Sequence, residues 1–280
     1  MSKIGLTFSV YNNLPFTKKC LDSIQNCDGY DDINICVVNN GSSDGTLEFL
    51  ELHKGEKFEV INYVDNHGCS VSWNAGLNYL KSIGCEYLVL TQNDVIVSKK
   101  VLNFCSDFLD KNENMSIVSP SVINRKFDYE GVLSQGEINE IAEIICEKYP
   151  QDIYQGFKFS FFMMRCSVFE KVQFDENYRT ALYEDYDFCK SCILNEFLSC
   201  SSPCMGLHYH RYGATQVIVN NEYGPKNGRY YDQKWGSKKT EERIYQNKKK
   251  IGKKIKEIIK CPIISGVGVD YEAVLKGRSE

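Results

Sequence analysis

A single carboxylate, Asp94, ends the apolar run in YLVLTQNDVIVS, residues 87–98. Two amide side chains, Gln92 and Asn93, come directly before it. A hard cation such as Mg²⁺ takes one or two protein carboxylates and fills its remaining positions with phosphate oxygens and water. Asp94 has the chemistry of such a ligand. The alternative is that Asp94 only caps the start of a following helix.

A second group of acids lies in YEDYDFCKS, residues 183–191, where a helix is predicted over 185–196. Glu184, Asp185 and Asp187 are the acids of this segment. A carboxylate at a helix start can accept a proton from a hydroxyl group. Acids in the first turn also stabilise a helix through its dipole, by about 0.3–1 kcal/mol each. A purely structural role is therefore the alternative.

The segment HYHRYGAT, residues 208–215, supplies two imidazoles, His208 and His210, which alternate onto one face if the chain is extended. Imidazole and carboxylate together form a mixed shell for a divalent metal. A zinc site is the other metal hypothesis, from the thiols of Cys189, Cys192, Cys200 and Cys204. The first pair lies on the apolar stripe of the predicted helix, and the gap between the two pairs is shorter than in usual zinc sites, which favours core packing.

Strand-length apolar runs alternate with amphipathic stretches over the first 115 residues. Unbroken apolar strands that alternate with helices predict a mostly parallel sheet covered by helices on both faces. Ligands bind such sheets beyond the carboxyl ends of the strands. The expected strands are 4–10, 33–38, 59–64 and 86–91, and the expected helices are 16–26, 45–53, 70–82 and 99–111.

Polar clusters follow each of these four strands and predict one shared rim. They are Tyr11 with Asn12, then 39–45, then 66–70, then 92–94. Within them, Gly68 permits a tight loop, Gly76 in the next helix permits close packing, and Ser70 is expected to be the N-cap of that helix.

The regular alternation ends near residue 115. We expect a strand at 117–123, a helix at 137–148, a central strand at 157–165 and a helix at 166–171. This predicts three regions: residues 1–115, residues 116–225 as the second half of the same domain, and residues 226–280 as a C-terminal extension.

The C-terminal extension differs in charge from the rest of the chain. Residues 237–260 carry ten Lys or Arg and three Glu, within a chain of net charge -4. Five isoleucines line one side of a predicted helix over 240–260. Such a helix could lie on an anionic membrane surface, or it could cover the globule with a solvated face.

Together, the strand-end clusters resemble the family-2 glycosyltransferases of GT-A fold. The resemblance covers roughly residues 3–216 in seven blocks that stand in the order of the family. The blocks are FSVYNN (8–13), VVNNGSSDGT (37–46), NHGCSVSWNAGL (66–77), LTQNDV (90–95), FFMMRCSVFEKVQFDENY (161–178), YEDYDFCKS (183–191) and HYHRYGAT (208–215).

The resemblance implies that residues 1–115 are the nucleotide-sugar-binding half and residues 116–225 the acceptor-binding and catalytic half of the same domain. It also implies roles for the chemical residues. It implies Asp94 and His210 as ligands of Mn²⁺ or Mg²⁺, with His208 as the alternative imidazole, and Asp185 as the general base, assisted by Glu184. The residues implied to bind the nucleotide sugar are Ser9, Tyr11, Asn39, Asp44, Asn74, Gln92 and Asn93. The sequence departs from the family pattern at Gln92 and Asn39, where relatives carry an acid.

The expected activity follows from these roles. We expect a hexosyl- or rhamnosyl-type transferase of polysaccharide biosynthesis that moves a sugar from a nucleotide donor to a hydroxyl of a glycan or lipid-linked acceptor, with inversion. The alternative is a catalytically inactive module that binds a nucleotide or carbohydrate, since two acids are missing. The segment MSKIGLTFSVYNN lacks a signal-peptide core and no run of about 18 apolar residues occurs. We therefore expect a cytoplasmic protein with reduced cysteines. The net charge of -4 predicts no nucleic-acid partner, and peripheral membrane contact through the basic helix is left open as the alternative to a solvated face.

Overall fold

The computed structural model of the protein describes residues 3–125, 134–148, 154–209 and 222–259. Within these ranges nine strands form one sheet. The strands are β1 Ile4–Val10, β2 Ile33–Asn40, β3 Phe58–Tyr63, β4 Tyr87–Thr91, β5 Val95–Val97, β6 Ile117–Arg125, β7 Tyr154–Gln155, β8 Phe161–Arg165 and β9 Ser199–Tyr209.

Nine α-helices of the described ranges accompany the sheet, with one short 3-10 turn at Tyr30–Asp32. The helices are α1 Leu14–Gln25, α2 Thr46–Glu51, α3 Cys69–Ser82, α4 Val101–Lys111, α5 Gln135–Lys148, α6 Cys166–Lys171, α7 Glu184–Leu194, α8 Gly224–Trp235 and α9 Lys238–Ile259.

The sheet is parallel in one half and mixed in the other. The strand order is β3-β2-β1-β4-β8-β6-β9-β5, and β7 pairs with β9. The first four strands in this order pair in parallel. Strand β8 is antiparallel to both of its neighbours, β4 and β6, and β5 is antiparallel to β9. The predicted α/β sheet and its four N-terminal strands are confirmed.

Alternate residues of the strands point into two core clusters, one on each face of the sheet. In β4, Tyr87 and Val89 join the cluster formed with α1, α4 and α9. The residues between them, Leu88 and Leu90, join the cluster formed with α3, α6 and α7. Side chains of a strand alternate between faces, so both faces are covered by helices as the apolar strands predicted.

Helix α3 packs closely on β1. A Cβ atom added at Gly76 would lie 2.0 Å from Oγ1 of Thr7, so only glycine allows this approach. The close packing predicted for Gly76 is confirmed. The prediction that Ser70 caps this helix was wrong, because the helix begins at Cys69 after Gly68 and Ser70 lies inside its first turn.

The basic helix α9 uses its apolar side within the fold. Ile244, Ile251 and Ile255 are buried, and Ile258 and Ile259 pack against the same core cluster. The lysines of the helix are exposed. The apolar face thus covers the globule, and membrane contact through this helix stays a prediction. None of the described helices has the length and apolar character required to cross a bilayer.

The cysteines with described side chains are all free thiols, as expected. Seven of these ten are buried. Cys192 and Cys200 lie in core clusters on opposite faces of the sheet, so the structure does not bring these two thiols to one metal ion.

Candidate active site

The loop after β1 is tied to the loop after β2. The side chain of Asn12 accepts a hydrogen bond from the N–H of Ser43 (2.8 Å), and the N–H of Asn12 donates to Oγ of Ser42 (2.8 Å). Asn12 and Asn13 have φ values of 57° and 69°, in the left-handed region that asparagine tolerates better than most residues. Tyr11, which opens this loop, is half-buried, as is Ser9 near the end of β1.

Asp44 joins these two loops through its carboxylate. Oδ2 accepts from the N–H of Leu14 (3.0 Å), and Oδ1 accepts from the hydroxyl and N–H of Thr46 (2.6 and 3.2 Å). Burial acts against ionisation, but these hydrogen bonds outweigh it and hold the pKa of Asp44 below its usual range. The carboxylate is thereby engaged at the starts of α1 and α2, and its contact with a nucleotide base stays a prediction.

The loops after β2 and β3 are joined by amide side chains. Nδ2 of Asn39 donates to Oδ1 of Asn62 (2.7 Å), and Nδ2 of Asn40 donates to Oδ1 of Asn66 (2.9 Å) and to the carbonyl of Gly68 (3.3 Å). An acid at position 39 would lack the N–H group that Asn62 accepts. This gives the amide at this position a structural reason.

Asp94 lies in the turn between β4 and β5. The helix-cap alternative was wrong, because the next helix, α4, begins at Val101. The side chain of Asp94 is only 9% exposed. In the same turn, the carbonyl of Gln92 accepts from the N–H of Val95 (3.2 Å), and Nδ2 of Asn93 donates to Oγ1 of Thr17 in α1 (3.1 Å).

The charge of Asp94 acts on the thiol of Cys20. Burial, and then the negative charge of Asp94, raise the pKa of this thiol. Cys20 is fully buried and its thiol donates to the carbonyl of Gln92 (3.4 Å). The Cys20 thiol on α1 is thus buried and uncharged beside Asp94, the acid of this turn.

Strand β9 brings the C-terminal part of the chain to Asp94. His208 pairs with Val95 in the antiparallel ladder between β5 and β9, so the backbone at 208 lies beside the residue that follows Asp94. His210 lies outside the described residues, and its role as a metal ligand stays a prediction. The described residues contain no group of three or more His, Cys, Asp or Glu side chains that could hold a metal ion.

The predicted catalytic acids, Glu184 and Asp185, directly follow the strained residues 180–183. Residues 180–185 are called the acidic turn below. Thr180, Leu182 and Tyr183 have φ values of 61°, 81° and 75°, which are unfavourable for side chains of this size. Such strain persists only where surrounding contacts fix it, and it is concentrated at functional sites.

The N-terminus of α3 holds the acidic turn on one side. The N–H of Cys69 donates to the carbonyl of Thr180 (2.7 Å). Gly68, with φ of 89°, lies so close that an added Cβ would be 2.8 Å from the nitrogen of Thr180. Because the carbonyl of Gly68 is itself bound by Asn40, the acidic turn lies at the same edge of the sheet as the strand-end clusters.

Helix α8 holds the acidic turn on the other side through one buried amide. Nδ2 of Asn227 donates to the carbonyls of Arg179, Ala181 and Leu182 (2.9, 3.0 and 3.1 Å), and Oδ1 accepts from the N–H of Arg179 (3.2 Å). Asn227 is 2% exposed. A single side chain therefore satisfies three carbonyls and one N–H within residues 179–182.

Asp187 anchors α8 rather than facing a ligand. It is buried and accepts hydrogen bonds at Oδ1 from Tyr178 (3.0 Å) and from Nε1 of Trp235 (2.7 Å). Nζ of Lys234 lies 2.8 Å from the same oxygen and 2.6 Å from Oδ2 of Asp175. The structure thus supports a structural role for this one of the three acids.

Glu184 and Asp185 occupy different environments although they are adjacent. Burial and then the charge of Asp185 raise the pKa of Glu184 to about 8, and its Oε2 is buried without a hydrogen-bond partner. Asp185 is partly buried, and its Oδ1 accepts the N–H of Tyr186 (2.8 Å). Burial also raises the pKa of Asp185. A partly exposed carboxylate with a raised pKa can accept a proton from a hydroxyl group.

Asn74 is engaged in packing. Its Oδ1 accepts from the N–H of Phe174 (3.0 Å), and its Nδ2 donates to the carbonyl of Phe174 (2.9 Å) and to Glu176 (2.9 Å). It is buried, and it connects α3 to the segment before the acidic turn. Contact with the donor stays a prediction for this residue.

The sequence did not identify Asn227 or Thr180 as parts of the site. The segment GPKNGRYYDQKW, residues 224–235, has no apolar stripe, so helix α8 was not predicted. Its buried residues are an asparagine and a tryptophan. A proline at the N-terminus of this segment was the available signal for a helix start.

The comparisons with known proteins define the class of this chain. The S. aureus protein TarS (residues 1–349) superimposes with a TM-score of 0.51 at 17% identity, over 75% of this chain and 58% of that chain. A second structure, TarS 1–349 in complex with UDP, matches to the same extent. The protein has the GT-A fold.

The family follows from a direct match. The model of glycosyl transferase family 2 matches residues 8–173, which is more than half of the chain. The chain therefore belongs to glycosyl transferase family 2, and the resemblance noted in the sequence is confirmed.

Several curated proteins share part of this region. An uncharacterized glycosyltransferase of Rickettsia prowazekii is 30% identical over 41% of this chain and 34% of its own length. The poly-beta-1,6-N-acetyl-D-glucosamine synthase of Staphylococcus epidermidis is 25% identical over 54% and 35%, and the abequosyltransferase of Salmonella typhimurium is 27% identical over 40% and 34%. The matched region spans about a third of each of these proteins.

We predict that Asn227→Ala loosens the acidic turn. The substitution leaves three carbonyls and one N–H without their partner, and each unsatisfied buried group costs about 1–3 kcal/mol. Amide exchange over residues 179–183 should accelerate, and trypsin should cleave faster after Arg179, which is exposed. Asn247→Ala is the matched control, because Asn247 on α9 also donates to backbone carbonyls, at the end of α7. Equal exchange at the acidic turn in both variants would contradict the prediction.

We predict that Glu184 makes the protein less stable as the pH rises. The pKa of Glu184 is about 8 in the folded state, above the ordinary value of about 4.3 in an unfolded chain. The folded state therefore holds a proton that the unfolded chain releases, and this stabilisation is complete below about pH 4 and lost by about pH 8. Glu184→Gln, which mimics the protonated acid, should be more stable than the wild type at pH 8 by roughly 2–4 kcal/mol, with little difference at pH 4.

Thermal unfolding of both proteins across this pH range measures the effect. Glu196→Gln is the control, since its ion pair with Lys250 lowers the pKa of Glu196, and this variant should gain no stability at pH 8. Parallel curves for Glu184→Gln and the wild type would show that Glu184 is ionised in the folded protein.

Proposed function

We propose that this chain transfers a sugar from a nucleotide-sugar donor to a hydroxyl group of a glycan or lipid-linked acceptor, with inversion. The observation that carries the proposal is the position of Asp185. It is a partly buried carboxylate of raised pKa at the sheet edge where the strand-end clusters of a family-2 chain meet. The complex of TarS with UDP supports a nucleotide donor.

The reaction is a single displacement at the anomeric carbon. The acceptor oxygen forms its bond to C1 as Asp185 takes the proton from the hydroxyl group, and the bond between C1 and the diphosphate breaks on the opposite side. The diphosphate leaves with the electron pair, so the configuration at C1 inverts. Positioned proton transfer of this kind contributes about 10²–10⁴-fold to a rate.

We propose that Glu184, as a protonated acid, leaves Asp185 as the one of these two carboxyl groups that acts as general base. With its pKa near 8, Glu184 is protonated at neutral pH and adds no second negative charge beside Asp185. Two ionised carboxylates at adjacent positions would raise the energy of the site. Its buried oxygen without a partner marks a place where a ligand or water completes the hydrogen bonding.

We further propose that a divalent cation, Mn²⁺ or Mg²⁺, assists departure of the diphosphate, with Asp94 and His210 as its protein ligands. A cation of this kind would stabilise the negative charge that develops on the leaving group. One buried carboxylate suits a cation that keeps phosphate oxygens and water in its shell. Gln92 adds no charge, so the proposed site is expected to hold metal together with nucleotide and weakly without it.

The finer assignments rest on the relatives. We propose a hexosyl or rhamnosyl donor and a place in polysaccharide biosynthesis, supported by relatives whose names specify an N-acetylglucosamine polymer and an abequosyl transfer. Cytoplasmic action on a lipid-linked acceptor at a membrane surface is part of the same proposal.

A catalytically inactive binding module is the second candidate. Amides at Asn39 and Gln92, where family members carry acids, favour it. The hydrogen bond of Asn39 to Asn62 weakens the argument, because it gives that amide a structural function.

We predict that one of UDP, GDP, dTDP and CDP raises the melting temperature, and that Mn²⁺ increases the shift. A ligand at 100 times its Kd stabilises the folded state by about 2.7 kcal/mol. Asp94→Asn should keep the nucleotide shift and lose the increase due to Mn²⁺. Asp107→Asn, an exposed acid on α4, is the control and should keep both. No shift with any of the four nucleotides would overturn the proposed donor class.

We predict that Asp185→Asn lowers transfer by about 10²–10⁴-fold. The variant retains an oxygen that accepts the N–H of Tyr186, so the fold and the nucleotide shift should be unchanged. Release of nucleotide from the donor, with and without acceptor, measures transfer and hydrolysis. Wild-type turnover in the variant would refute the assignment of the base, and absence of both reactions in the wild type would favour the binding module.

A further inference from the structure

Three tyrosine rings lie together beside Asp185. Tyr183 belongs to the acidic turn, Tyr186 to α7 and Tyr231 to α8. The ring centroids of Tyr183 and Tyr231 are 5.3 Å apart, and Tyr186 lies 6.3 Å from Tyr183 and 6.4 Å from Tyr231. We call these three rings the tyrosine cluster.

The tyrosine cluster is open to solvent. Tyr186 is 62% exposed, and Tyr183 and Tyr231 are half-buried. The large aromatic groups on the far side of α7 are covered, as in the stacked pair of Phe174 and Phe188 with centroids 4.4 Å apart. An exposed aromatic patch next to a candidate catalytic group indicates a binding surface. Exposure of aromatic rings to water is unfavourable, and these rings are not buried in the core of the protein.

One hydrogen bond and one electrostatic interaction connect the cluster to the candidate base. The N–H of Tyr186 donates to Oδ1 of Asp185 (2.8 Å). Burial, followed by the charges of Asp187 and Asp185, raises the pKa of Tyr231 to about 12. The Tyr231 hydroxyl is protonated at neutral pH and can donate a hydrogen bond.

The backbone holds Tyr183 in this cluster against its own preference. A φ of 75° is rare for an aromatic residue, and the neighbouring contacts of the acidic turn maintain it. Gly228 of α8 provides room for the ring, since an added Cβ would lie 3.1 Å from the Tyr183 hydroxyl. The strain is consistent with a conformation kept for binding.

The chemistry of the cluster selects the class of ligand. Aromatic faces are electron-rich and attract C–H groups that carry partial positive charge. The C–H groups on one face of a pyranose ring are polarised in this way by the adjacent oxygens, while the sugar hydroxyls can bond to tyrosine hydroxyls. Lys190 already lies over the ring of Tyr231, 4.4 Å from its centroid, which leaves Tyr186 with the most open ring.

We propose that Tyr183, Tyr186 and Tyr231 form the acceptor subsite and hold the sugar ring whose hydroxyl is presented to Asp185. The inference rests on the proposed glycosyl transfer and specifies which surface receives the acceptor. It places the acceptor on the side of Asp185 that is formed by α7 and α8.

Saturation-transfer NMR on the full chain tests the subsite without turnover. The probes are methyl β-glucopyranoside, methyl α-rhamnopyranoside and methyl β-N-acetylglucosaminide. Irradiation of aromatic protons should transfer saturation to the ring protons of at least one probe. Tyr186→Ala should reduce this transfer about threefold to tenfold, because the variant lacks the most open ring of the cluster.

Tyr245→Ala is the matched control. Tyr245 on α9 is 55% exposed and also has a lysine, Lys249, 4.4 Å from its ring centroid, but it lies outside the cluster. This variant should keep the wild-type transfer. Loss in Tyr186→Ala with retention in Tyr245→Ala supports the subsite, whereas no transfer to any probe, or equal transfer in both variants, overturns it.

Nucleotide-induced melting shifts of the same proteins separate this inference from the proposed function. If nucleotides stabilise the protein and the sugar probes fail, the acceptor subsite is wrong and the donor assignment stands. If the probes bind through Tyr186 and no nucleotide stabilises the protein, the sugar site stands and glycosyl transfer is wrong.

Discussion

In a parallel ladder, neighbouring strands end at the same edge of the sheet, and β3, β2, β1 and β4 pair in this way. A polar loop follows each strand, so the pairing of the strands brings the four loops together. Contacts between the loops are not required for this. The hydrogen bonds between Asn12 and Ser43, and between Asn40 and Asn66, fix an arrangement that the strand pairing has already imposed. Every other feature of the candidate site is attached to this edge.

The acidic turn is held by contacts with α3 on one side and α8 on the other, and both sets of contacts determine its backbone conformation. Gly68 and Cys69 at the start of α3 contact Thr180, and Asn227 of α8 binds the carbonyls just before Glu184. Three unfavourable φ angles in four residues require such external support, since the local chain would relax to ordinary backbone angles without it. Helix α8 is fixed in turn by Asp187, which binds Trp235 and Lys234. The acid that anchors the helix and the acid proposed to take the proton are thus two residues apart and have separate functions.

Sequence patterns predicted the elements whose signal is local. The four N-terminal strands and the helices that follow them carry unbroken apolar runs and amphipathic stretches, and the structure confirms each within a few residues. Strand β9 was missed because SCSSPCMGLHY has neither alternation nor a continuous apolar run. Its pairing with β6 shifts register between Pro120 and Ser121. The proline at 203 is therefore left unpaired in an irregular part of the ladder. Helix α8 was missed for a related reason, since what it buries is mainly one amide and one indole.

The sequence by itself determined the family, the parallel sheet with two covered faces, and the identity of the acids near each strand end and helix start, because these depend on residue types and short-range periodicity. Only the tertiary structure decided what each polar side chain contacts. Asp44, Asn39 and Asn74 proved to be bound to backbone or amide partners, and Asp187 to the indole and ammonium groups of α8. Glu184 and Asp185 differ in burial although they are adjacent carboxylic acids. The physical reason is that pKa values and hydrogen bonds are set by the groups that distant segments bring within a few ångströms, and spacing along the chain carries no record of those distances.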